Sequence, residues 1–188
     1  MHPTRHHPKS ILTRAIPNRL IILRRLIVKV GGTLALFFIG ITLINFFVVS
    51  PARVNGRSME PTYKDEQLFF VNKFIYLFRP PRRFEKIQLV DPERGKLIIK
   101  RVLGVPGQTI VVKGGLVYER DATGQDRRIN ERAYLADDVR TYVLGATSSV
   151  AFILEAEQYF VLGDNRPHST DSRTYGPIGR ARLVGKVF

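Results

Sequence analysis

Lys96-Leu97-Ile98-Ile99-Lys100-Arg101-Val102-Leu103 sets one lysine in the middle of a branched aliphatic run. Read as a strand, the run alternates faces, so Ile98, Lys100 and Val102 share one side while Arg101 points to the other. Short β-branched and aromatic runs of the same kind recur at 68–71, 86–90, 109–112, 116–118, 150–154 and 159–162. Turn residues separate them, and Gly114-Gly115 stands between two of them as a hairpin signal. No sustained 3.6-residue periodicity appears past residue 50. These runs predict a mostly β, antiparallel domain over residues 50–188.

Upstream, residues 30–49 read VGGTLALFFIGITLINFFVV, twenty residues without a charge. As a helix they rise about 30 Å, the thickness of a bilayer's hydrocarbon core. A cleavable secretory signal has a similar basic-then-apolar pattern. Here the apolar run exceeds a usual signal core, and Ser50-Pro51-Ala52-Arg53 makes a poor cleavage site. The stretch is therefore expected to be an uncleaved anchor. Residues 1–29 carry Arg5, Lys9, Arg14, Arg19, Arg24, Arg25 and Lys29 and no acid, which favours a cytoplasmic N-terminus. The expected organisation is a basic cytoplasmic tail (1–29), a transmembrane helix (30–49) and an extracytoplasmic β domain (50–188).

The 188 residues carry a formal charge of +14, half of it in that tail. The basicity thus reads as membrane topology and lipid contact rather than as nucleic-acid binding. There is no cysteine, and the four histidines (His2, His6, His7 and His168) show no metal-ligand spacing, so neither cofactor nor metal is expected. Residues 73–79 place aromatic and aliphatic side chains between two cations, either as a core strand or as a surface loop at the lipid interface. Residues 119–145 are polar and charged, and are expected to form an insertion or outer hairpin remote from the chemistry.

Nine positions past the apolar run stands Ser58, in Asn55-Gly56-Arg57-Ser58-Met59-Glu60-Pro61-Thr62. A serine there is a plain turn residue unless a base activates it. His168, with Asp164 or Asp171 behind it, is one base to weigh. Lys100 is the other, because burial among aliphatics can lower an ammonium's pKa enough to leave it neutral. A lysine snorkelling from an edge strand is the bland reading of the same residue.

The combination Ser58-Met59-x-Pro61-Thr62, Lys100-Arg101-Val102-x-Gly104-x-Pro106-Gly107 and Gly163-Asp164-Asn165-Arg166-x-x-Ser169-x-Asp171-Ser172-Arg173 resembles the type I signal peptidases. The order of the blocks and the helix ahead of the serine match as well. That resemblance implies Ser58 as nucleophile, Lys100 as general base and Ser169 as a hydrogen-bond partner of the lysine. It implies a structural ion-pair network of Asp164, Arg166, Asp171 and Arg173, and substrate pockets lined by Val54, Met59 and Ile99. The substrates would be the signal peptides of exported preproteins, cut after small residues. Many members of the family place a second oxyanion donor two residues before the nucleophile. Gly56 stands there in this chain, and His168 receives no role.

Two other readings fit parts of the same sequence. A Ser/Lys self-cleaving repressor requires a helical DNA-binding domain, against which the apolar run argues. A non-enzymatic basic domain at a membrane surface needs no dyad at all.

Overall fold

The computed structural model describes residues 18–188. Arg5, Lys9, Arg14, His2, His6 and His7 lie outside the described residues. The chain divides into two units, one ending at Ile44 and one running from Asn45 to Phe188.

Among its described residues the first unit is a single helix, part of α1 (Asn18–Val48). It begins well before Val30, where the apolar run starts. Arg19, Arg24, Arg25 and Lys29 explain the difference: they interrupt apolarity, but arginine and lysine are good helix formers. Arg19–Leu43 has a mean hydropathy of 2.1 and is long enough to cross a membrane.

The second unit is built from eleven strands, all paired antiparallel. They are β1 (Val49–Arg53), β2 (Leu68–Asn72), β3 (Lys86–Val90), β4 (Leu97–Gly104), β5 (Thr109–Lys113) and β6 (Leu116–Arg120). After them come β7 (Asp126–Arg128), β8 (Val150–Ile153), β9 (Gln158–Leu162), β10 (Ile178–Gly179) and β11 (Leu183–Val187). A seven-stranded sheet runs β1-β2-β11-β3-β4-β9-β10, and a four-stranded sheet runs β7-β6-β5-β8. Gly114 and Gly115, both at positive φ, make the tight turn between β5 and β6.

β4 is the hub. Its Leu103 packs with Ile110, Val117, Leu154 and Phe160. Val102 packs with Ile87, Leu89, Tyr159 and Val161. Ile99 packs with Val54, Met59, Tyr63 and Phe69. Three apolar clusters therefore fix one strand, and the residues between those anchors inherit that rigidity. Over its first half β4 pairs with β3 alone, because β9 joins it only from Arg101 onward.

Two expectations change. Residues 73–79 form no core strand; they hold a single turn, α2 (Ile75–Phe78), that buries Tyr76 and leaves Leu77 and Phe78 73% and 83% exposed. Residues 119–145 are not remote from the motif residues. Ile129 enters a core, Thr141 is buried, and Glu131 and Tyr134 reach the arginines of the second and third motifs.

Candidate active site

Ser58 sits on a turn closed by Glu60 N–H donating to the Arg57 carbonyl (3.1 Å) and Tyr63 N–H to that of Met59 (2.9 Å). Gly56 enters it at φ +95, a left-handed conformation that glycine adopts without a Cβ penalty. The neighbouring Met59 is 1% exposed and plugs into the cluster of Val54 and Ile99. Burying such a side chain contributes roughly 1.5–3 kcal/mol, enough to hold the turn against the sheet. Val54, Met59 and Ile99 thus come together, as a packed floor.

Lys100 reaches this turn from β4. Its Nζ donates to Ser58 Oγ at 2.8 Å, and the residue is 2% exposed. Burial pulls the ammonium down from its ordinary 10.5 to about 8, and the charge of Arg173 adds to the effect. Asp171, Asp91 and Asp164 favour the charged form without overcoming burial. The pair is a hydroxyl in hydrogen-bond contact with an amine that sheds its proton near neutrality, which is what general-base activation needs.

The third motif forms the wall behind the pair. Asp164 receives Arg101 through Nε (2.8 Å) and Nη2 (2.5 Å), and it accepts the Thr62 hydroxyl. Asn165 N–H donates to the Ser58 carbonyl at 3.0 Å, and Asn165 Nδ2 to the Arg57 carbonyl at 3.0 Å. Gly163 lies so close that a Cβ there would fall 2.5 Å from the Ser58 carbonyl oxygen. Asp171, wholly buried, accepts Gly163 N–H (3.0 Å) and Arg173 Nε (2.8 Å). Arg173 also donates to the carbonyls of Arg166 (2.7 Å) and Ser169 (3.1 Å). Arg166, 1% exposed, donates to the Gly163 carbonyl (3.1 Å), to Glu131 and to the Thr141 hydroxyl. Within this wall Asp164 faces Arg101, Asp171 faces Arg173 and Arg166 faces Glu131, the condition under which such groups are tolerated inside a protein.

Ser169 departs from expectation. Its hydroxyl is buried without a hydrogen-bond partner and lies against Gly163, while Lys100 bonds to Ser58. The bond expected from Ser169 to Lys100 is not formed among the described residues, where the lysine's side-chain bond goes to Ser58. The Gly56 N–H, for its part, donates to Asp65 Oδ1 at 2.7 Å. His168 is exposed, on the turn Arg166–His168. Thr62, Glu131, Tyr134 and Thr141 received no role from sequence. Thr62 lay inside a motif, but the other three had no local signal.

Residues 24–188 match the family described as "Signal peptidase, peptidase S26", and the chain belongs to that family. Signal peptidase I V of Bacillus subtilis (strain 168) is 33% identical over 141 residues, spanning 72% of this chain and 81% of that protein. Signal peptidase IB of Staphylococcus aureus (strain N315) is 29% identical over 163 residues, 82% of this chain and 84% of that one. The crystal structure of a signal peptidase I from Enterococcus faecalis V583 covers 57% of this chain and 97% of its own, with 26% identity and a TM-score of 0.44.

Proposed function

We propose that this chain is a membrane-anchored serine endopeptidase that removes N-terminal signal peptides from exported preproteins after small residues. The observation that carries the reading is the 2.8 Å contact between Ser58 Oγ and a buried lysine whose pKa lies near 8. In the reaction, Ser58 Oγ attacks the scissile carbonyl and neutral Lys100 takes its proton. The oxyanion meets the Ser58 N–H, which has no hydrogen-bond partner among the described residues. One such donor is worth about 2.7–4 kcal/mol. When the C–N bond breaks, Lys100 returns its proton to the leaving amine. The acyl-enzyme is then hydrolysed by water, with Lys100 serving again as base.

The first half of β4, paired on one side only, offers an edge to which an extended substrate adds as a strand. Val54, Met59 and Ile99, which pack in one cluster, would line shallow pockets that take small side chains. Asp164, Arg166, Asp171 and Arg173 hold the wall and do not touch substrate. The apolar helix with Arg19, Arg24, Arg25 and Lys29 at its start supports a single-pass anchor in contact with lipid, N-terminus cytoplasmic and catalytic domain extracytoplasmic.

Ser58→Ala and Lys100→Met are each expected to abolish cleavage of a preprotein bearing an Ala-x-Ala site, with circular dichroism and membrane insertion unchanged. Full processing by either purified variant would refute the dyad.

A further inference from the structure

The turn at Gly163–Arg166 is gripped from two sides, and one side chain outside the three motifs connects the grips. Tyr134 lays its ring over the Arg101 guanidinium, 3.8 Å from ring centroid to Cζ. Its hydroxyl donates to Glu131 Oε1 at 2.7 Å, and Glu131 is the carboxylate that receives Arg166. Arg101 holds the side chain of Asp164, while Arg166 holds the carbonyl of Gly163. The turn between them carries Asn165, whose N–H is bonded to the carbonyl of Ser58 itself. Asp164 reaches the same loop a second time through Thr62.

An aromatic residue is what the position calls for. Arg101 spends Nε and Nη2 on Asp164 and one Nη1 hydrogen on the Phe84 carbonyl (3.0 Å), which fixes the plane of the guanidinium and presents its face to Tyr134. A guanidinium face is satisfied by a π-system. Phe84 presents that carbonyl from φ +70, a left-handed conformation that is costly for a bulky residue, and its ring packs on Tyr134 with centroids 6.1 Å apart. The segment therefore bears backbone strain at the place where it supports the arginine.

We propose that Tyr134 is a positioning residue for the nucleophile. It keeps Arg101 flat against Asp164 and Glu131 turned toward Arg166, and so fixes the turn on which the Ser58 carbonyl, and with it the neighbouring N–H and Oγ, is hung. The proposal rests on Ser58 being the nucleophile. Tyr134 does not touch the dyad, so its loss shifts the attacking atom without altering the base.

The test compares Tyr134→Phe, Tyr134→Trp, Tyr134→Leu and Tyr134→Met in the full-length chain in detergent. Preprotein cleavage is resolved into kcat and KM, with thermal unfolding followed in parallel. Phe and Trp keep the flat face on Arg101 and lose only the hydroxyl's bond to Glu131, which Arg166 still holds, so kcat is expected to fall by no more than about threefold. Leu and Met keep bulk but not the face, and kcat is expected to fall roughly tenfold with KM within about twofold, since small misplacements of a reacting group act on the chemical step. The acid limb of the pH profile stays where it is in every variant. Equal kcat in the aromatic and aliphatic variants overturns the proposal. So does a loss confined to KM, a shifted acid limb, or aliphatic variants whose loss equals their unfolded fraction or that do not fold at all. Ser58→Ala run alongside separates the two readings: if it still cleaves, the nucleophile is misassigned. If it is inactive while Tyr134→Leu retains parental kcat, only the present proposal falls.

Discussion

Burying Lys100 has two consequences of opposite sign. With Lys100 as the proposed base, activity requires the neutral amine, so log kcat should rise with pH at slope one toward a midpoint near pH 8 and level off above it. At pH 7 about a tenth of the enzyme then carries the base in its active form. A rate flat down to pH 5 would contradict the assignment. Stability follows the other branch. The folded pKa lies below the unfolded 10.5, so between about 8 and 10.5 the unfolded chain binds more protons. Stability therefore rises with pH across that window, and the burden of the buried charge is fully present below pH 8. Lys100→Met removes it, and should raise the unfolding free energy at pH 7 by an amount on the order of 3 kcal/mol that shrinks to nothing above pH 10.5. Denaturant unfolding at pH 7 and pH 10.5 measures both. Gly163 yields a steric prediction: Gly163→Ala places a methyl group against the Ser169 side chain and 2.5 Å from the backbone oxygen of Ser58, and even with Ser169 turned away the Ser58 turn has to give. We expect cleavage to fall by at least tenfold while the domain stays folded, checked by kcat and thermal unfolding.

At the scale of the element, β4 sets Ile99, Lys100 and Arg101 side by side, facing the Val54–Met59 cluster, Ser58 and Asp164 in turn. Strand geometry sends neighbours to opposite faces, so a slip of one residue would exchange all three. The alternation was readable because branched residues mark a half-buried strand. β1 and β11 were not readable. β1 contains Pro51 and merges with the apolar run, while β11 is a short Leu-Val-Gly-Lys-Val with little pattern. The motifs pointed to Ser58 and Lys100, but not to Glu131 and Tyr134. A contact such as Arg166 to Glu131, spanning 35 residues into a polar stretch, leaves no local trace. The helical turn α2 supplies a prediction of its own. Leu77 and Phe78 project into solvent beside Lys73 and Arg79, the composition that settles at a lipid interface. Replacing both with serine should leave cleavage of a soluble peptide unchanged and slow cleavage of a preprotein in vesicles; equal rates on both substrates would count against lipid contact.

For the whole molecule, what matters is how the two halves of the larger sheet are joined. β1 and β2 flank the Ser58 turn, while β3 and β4 carry the lysine, and β11 lies between the two pairs. Val187 belongs to the cluster that seats Met59, and Phe188 N–H donates to the Phe70 carbonyl at 3.1 Å. Removal of residues 183–188 should therefore abolish activity and cooperative unfolding together, although every motif residue remains; a truncated chain that still cleaves would show that the halves close without their seam.

That seam also imposes an order in time. Residues 183–187 are made more than ninety residues after both strands they join, and the Gly163–Arg166 turn more than a hundred residues after the Ser58 on which it rests. A nascent chain thus carries Ser58 and Lys100 through most of its synthesis as an unassembled pair, and the two are locked together only when the closing strand arrives.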